Sequence, residues 1–195
     1  MEIEKLLECG RKIRVIGFDD AHWRENEDGV PVSVAGIVCS DTRFEGMLWG
    51  ELTKDGLDAT EAIGNLLGES KFARQVQLIL LDGITFGGAN VVDMPELSRA
   101  AGVPVIAVMR KVPRLEKFKH VLSRLPHADE RLRRLEAAGP IYELDEFVFQ
   151  VIGLPPKVAA SALKRLTDVG LVPEALRVSH LIGSAVKLGQ SGKRA

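Results

Sequence analysis

The sequence predicts a single α/β domain, residues 1–195, with a mixed five-stranded central sheet and helices on both faces. Two near-continuous apolar runs, residues 76–81 and 103–108, flank a short helical stretch. That is the pattern of a βαβ unit, because a parallel strand is covered on both faces and need not alternate. Three strand-like runs come before this unit with no room for a helix between them, and mostly helical periodicity follows it. A chain of 195 residues can bury a substantial core without disulfides or a structural metal.

The first strand is expected over residues 13–18, ending on Asp19-Asp20, after a short N-terminal lead. Residues 23–29 are polar and turn-like. Residues 31–39 alternate as a second strand and residues 44–52 form a third, with Asp41-Thr42 as the turn of a hairpin. Asp58-Ala59-Thr60-Glu61 has the spacing of a capping box opening a helix that ends near Gly68. Asp93-Met94-Pro95-Glu96 repeats that logic inside the βαβ unit. Helices are expected up to Leu125 and from Asp129 to Ala138. Residues 141–144 and 147–151 are short strand candidates or irregular packing segments. Pro155-Pro156 starts an amphipathic helix and a last helix runs from about Pro173 to Leu188, leaving a frayed end at about 189–195.

Three antiparallel strands followed by alternating helix and strand is the order of a ribonuclease H-like domain, in which the first and fourth strands become parallel neighbours. Asp19 and Asp82 would then project from the same edge, on strands ~4.8 Å apart. Two carboxylates that close repel unless a hard cation lies between them. Mg²⁺ or Mn²⁺, held by one or two carboxylates plus water and substrate phosphate, fits such a pair. Alternation along the strand points Asp20 the other way. Asp58 and Glu61 are candidates to complete the shell, although capping alone explains both.

Net charge is −1, from 26 basic and 27 acidic side chains, but it is unevenly spread. Residues 18–61 hold eleven acids against three bases, and residues 110–134 hold nine bases against three acids. An acidic pole for a cation beside a basic flank for phosphate is one reading, and two ordinary solvated faces is the other. The loop 83–90, with Gly87 and Gly88, lets backbone approach a phosphate. It matches neither GxGxxG nor a P-loop, so no dinucleotide cofactor is expected. Trp23 and Phe86 could stack on a base, with core packing the favoured role of each. His180, on a helix with Arg177, Ser184 and Lys187 on nearby faces, is a candidate proton donor or phosphate contact whose default is a solvated histidine. Cys9 and Cys39 are far apart, with no CxxC motif, as in a reducing compartment. No run approaches ~18 apolar residues and residues 1–5 lack a signal peptide's order, so a cytoplasmic protein without a membrane partner is expected.

The run Asp82-Gly83-Ile84-Thr85-Phe86-Gly87-Gly88-Ala89-Asn90-Val91-Val92-Asp93, with Asp55-Gly56-Leu57-Asp58-Ala59-Thr60 and Pro173-Glu174-Ala175-Leu176-Arg177-Val178-Ser179-His180, resembles the endonuclease dU family. That family is distantly similar to endonuclease V, a metal-dependent repair nuclease. The resemblance implies incision of DNA containing deaminated bases, deoxyuridine above all. Gly17-Phe18-Asp19 and Leu81-Asp82-Gly83 fit two metal-ligand motifs of endonuclease V. Residues 104–111 parallel its segment ending in a functional lysine pair, which makes Arg110 and Lys111 phosphate-contact candidates. The Phe-Arg-Glu motif of endonuclease V has no match, and Glu61 is the stand-in by spacing. A non-catalytic nucleic-acid-binding module and a small-molecule phosphohydrolase are the alternative functions.

Overall fold

The computed structural model describes residues 2–21 and 31–191. The polar stretch around Trp23 lies outside the described residues.

The elements run α1 (Ile3–Glu8), β1 (Arg14–Asp20), β2 (Pro31–Ser40), β3 (Arg43–Thr53), α2 (Ala59–Gly68), β4 (Leu78–Asp82), β5 (Thr85–Phe86), β6 (Asn90–Val91), α3 (Met94–Ala101), β7 (Val105–Met109), α4 (Leu115–Leu122), α5 (Ala128–Ala137), β8 (Tyr142–Leu144), β9 (Phe147–Ile152), α6 (Pro156–Arg165) and α7 (Glu174–Leu188). The main sheet has seven strands rather than five, in the order β3-β2-β1-β4-β7-β9-β8. β1, β4 and β7 are parallel, and β9 returns antiparallel beside β7. The additional strands form a hairpin whose turn, Asp145-Glu146, has φ of 49° and 71°. Such a two-residue turn favours Asn or Gly, so its sequence carried no hairpin signal. The N-terminal lead is a six-residue helix, α1.

Side chains alternate cleanly across the sheet. Ile16, Phe18, Ile79, Leu81, Val105 and Ala107 face α2, α3, α4 and α5. Val15, Leu78, Leu80, Ile106 and Val108 face α1, α6 and α7. The central strands β1, β4 and β7 are thus covered on both faces, as parallel strands between helices require, while β3 and β8 at the edges are not.

One close approach positions the site. A Cβ on Gly17 would lie 2.8 Å from the Ala175 carbonyl carbon and 2.9 Å from the Leu176 nitrogen. Only a residue without a side chain lets the first turn of α7 rest on β1. The Ser179 hydroxyl then donates to the Ala35 carbonyl at 2.8 Å, fixing the helix against β2.

Candidate active site

The register pairs Gly17 with Leu80 and Phe18 with Leu81, so one step further sets Asp19 level with Asp82. By alternation both carboxylates leave the sheet on the α7 face. There they meet His180, two turns into α7. Single donor atoms of Asp19, Asp82 and His180 all lie within 4.8 Å of one another. The His180 Nδ1 and Asp19 Oδ2 are 2.9 Å apart and share a hydrogen bond. Arg110, leaving the end of β7, brings Nη2 to 3.9 Å from Asp82 Oδ2.

The electrostatics of the cluster favour a positive charge. Burial pushes the Asp19 carboxyl up to about 6, opposed by the hydrogen bond from His180 and reinforced by the nearby Asp82 and Asp20 charges. Burial likewise raises Asp82, while the Arg110 and His180 charges pull it down. The hydrogen bond to Asp19 holds His180 above its ordinary value. Two carboxylates suit a hard divalent ion such as Mg²⁺ or Mn²⁺, whereas an imidazole donor belongs with transition metals rather than with Mg²⁺.

Asp20 points to the opposite face and accepts a hydrogen bond from the Gly87 amide. Gly87 and Gly88 have φ of 52° and 92°, and a Cβ on Gly88 would lie 2.4 Å from Asp55 Oδ1. These glycines therefore fit the loop against Asp20 and Asp55. Phe86 takes the core-packing role favoured for it, its side chain being 1 % exposed, and does not stack on a base. Trp23 is outside the described residues.

Asp58 and Glu61 do not join the cluster. Asp58 accepts from the Thr53 amide and hydroxyl, the latter at 2.7 Å, and from Asn90 Nδ2 at 2.6 Å. Nor does Asp58 cap α2, whose Ala59 amide donates instead to Asn90 Oδ1 at 3.0 Å. A partner from a distant loop has displaced the local capping box. Glu61 is exposed on α2 and lines a groove with Gly64, Asn65 and Glu96. Asp93 does cap its helix, accepting from the Glu96 amide at 3.0 Å.

A network missed by the sequence reading ties these loops together. Arg131, 2 % exposed on α5, donates to the Pro126 and Gly56 carbonyls at 2.9 Å and to those of Asp55 and Ala89. Ala89 in turn donates to Asp55 Oδ1 at 2.8 Å, and Asn90 Nδ2 to the Thr53 carbonyl at 3.0 Å. The Asp55–Thr60 and Asp82–Asp93 motifs are thus one hydrogen-bonded unit behind β4. The signal was present: Arg131 shares the inward spacing of Leu135 and Ala138, both buried.

A mixed sheet of this order, with acids at the ends of adjacent parallel strands, defines a ribonuclease H-like fold of the endonuclease V kind. The Ciona intestinalis endonuclease V, crystallised with a 24mer DNA containing an inosine followed by a ribo-adenosine, superposes with a TM-score of 0.59 at 16% identity, covering 95% of this chain and 94% of that one. A protein of unknown function from Archaeoglobus fulgidus superposes with a TM-score of 0.84 at 35% identity, covering 90% of this chain and 98% of that one. Residues 11–187 match the family Endonuclease dU, and the chain belongs to it. A UPF0215 protein of Pyrococcus furiosus is 39% identical over 189 residues, covering 94% of this chain and 96% of the relative. Family and fold together support a nuclease. Among the described residues no helix is long and apolar enough to cross a membrane.

Proposed function

We propose that the chain is a metal-dependent endodeoxyribonuclease that incises DNA at deaminated bases, deoxyuridine first among them. The observation that carries the proposal is the meeting of Asp19, Asp82 and His180 within 4.8 Å at the ends of two parallel strands. Membership of the Endonuclease dU family supports the choice of base, and the inosine-containing DNA bound by the Ciona endonuclease V supports the class of partner.

Asp19 and Asp82 would hold Mg²⁺ or Mn²⁺, which would supply charge neutralisation at the scissile phosphate and a more acidic bound water. The hydrogen bond between Asp19 Oδ2 and His180 Nδ1 holds the ring so that Nε2 is the nitrogen left to take a proton from an attacking water. Arg110 stands beside Asp82 with its guanidinium exposed toward the approaching strand, and Lys111 follows it. An extruded uracil suits such an enzyme, because a mispaired or damaged base is the least costly to unstack.

The test uses end-labelled duplexes carrying uracil, hypoxanthine or xanthine, with Mg²⁺, with Mn²⁺ and with chelator. Nicking should require the divalent ion and be strongest at uracil. Asp82→Asn should abolish nicking while the duplex is still bound. Nicking that persists in Asp82→Asn, or in chelator, would remove the cluster from the mechanism, and binding without any cutting by the parent protein would favour a non-catalytic module.

A further inference from the structure

Nine cations lie between Arg110 and Arg134, and the fold uses them in two different ways. The three on α5 are committed within the molecule. Arg131 is buried against four carbonyls, Arg133 is bonded to Asp93 and Glu130, and Arg134 holds Glu130 and the carbonyls of Leu57 and Val91. Arg110 faces Asp82, and Lys119 reaches Glu136 on α5 at 3.9 Å. The remaining four, Lys111, Arg114, Lys117 and Arg124, are exposed and have no ion-pair partner among the described residues.

These four are not scattered. They start at the residue after Arg110, where β7 ends beside Asp82, and continue through Arg114 at the N-cap of α4 and Lys117 within it to Arg124 just past its end. Leu115, Phe118 and Leu122 of α4 pack inward, so helical periodicity turns Lys117 and the segment leading to Arg124 outward. At ~1.5 Å per residue, positions 114 to 124 span roughly 15 Å, about four base steps of ~3.4 Å. Four like charges left unneutralised on one short stretch repel one another, and a polyanion relieves that repulsion.

We propose that the loop after β7 and the outer face of α4 form a rail for the sugar-phosphate backbone of duplex DNA, with Lys111, Arg114, Lys117 and Arg124 as its phosphate contacts. This deepens the nuclease reading by assigning the strand's path away from the acidic cluster, and it excludes α5 from that path. Contacts of this kind position the duplex and are blind to the damaged base.

The experiment measures binding of the full chain to a fluorescent, lesion-free duplex by anisotropy, in chelator, across a salt series. Each phosphate contact contributes about 0.9 to the slope of log affinity against log salt. The variant Lys111→Ala/Arg114→Ala/Lys117→Ala/Arg124→Ala should lose about 3.6 from that slope and bind at least about thirtyfold more weakly at moderate salt. A control removing four exposed lysines elsewhere, Lys5→Ala/Lys12→Ala/Lys157→Ala/Lys164→Ala, should stay within about threefold of the parent. An unchanged slope in the first variant, or an equal loss in the control, overturns the rail. So does a parent protein that ignores duplex DNA but binds vesicles of anionic lipid or an acidic polypeptide through the same four residues. Because chelator suppresses cutting, failure of the deaminated-base reading would leave this readout untouched.

Discussion

Replacing Arg131 by Met should unlatch the loops behind β4 while keeping the helix and most of the side-chain volume. The guanidinium of Arg131 is the donor to the carbonyls of Pro126, Gly56, Asp55 and Ala89, and only Ala89 makes that bond in a fully buried setting. Charge-assisted bonds of this kind contribute about 1.5–3 kcal/mol each, against which stands the cost of burying the cation. Water can reach the three part-buried carbonyls in the variant but not that of Ala89. The net loss should therefore be about 3 kcal/mol, which for a chain of this size lowers Tm by about 6–12 °C. Arg131→Lys should rescue little, since an ammonium cannot span several carbonyls as a planar fork does. Melting followed by far-ultraviolet circular dichroism reads the effect directly. A Met variant that melts within about 2 °C of the parent would refute the assignment of Arg131 as the clasp.

Two further predictions concern the cluster itself. Gly17→Val places a branched side chain against the backbone of Ala175 and Leu176, which cannot yield, so α7 should be pushed off β1 at a cost of about 1–3 kcal/mol. The His180 ring, followed by NMR titration, should then return toward the ordinary histidine value; an unmoved titration would show that α7 does not depend on this contact. In the metal-free protein the raised Asp19 carboxyl binds its proton longer when folded, so its contribution declines as pH rises from about 4 to about 6. His180 has the same sign, its contribution being complete below about 6.5 and lost as pH rises through the higher folded value. Chelated parent should thus lose melting temperature relative to Asp19→Asn between pH 4.5 and 7, and saturating Mg²⁺ should reverse the trend by replacing protons. Parallel curves for the two proteins would sink this account.

Strand periodicity and the ends of apolar runs located Asp19 and Asp82 because those features are local and repeat every two residues. The same alternation turned Asp20 toward the Gly87 amide. Contacts made across the chain were not legible. His180 reads as a solvated helical residue, and its partner Asp19 lies 161 positions away. Asp58 has the spacing of a cap, but Thr53 and Asn90 compete successfully for its carboxylate. Residues 141–144 and 147–151 read as strand candidates or irregular segments, and their pairing as a hairpin was not legible because Asp145 and Glu146 adopt a left-handed turn without Gly or Asn.

The seat of α7 on Gly17 joins the earliest strand of the sheet to the final helix. During synthesis the two carboxylates can therefore assemble on the ribosome well before the imidazole emerges. A polypeptide that stops before α7 carries an incomplete centre, so whatever the three side chains do together would begin only when that helix docks.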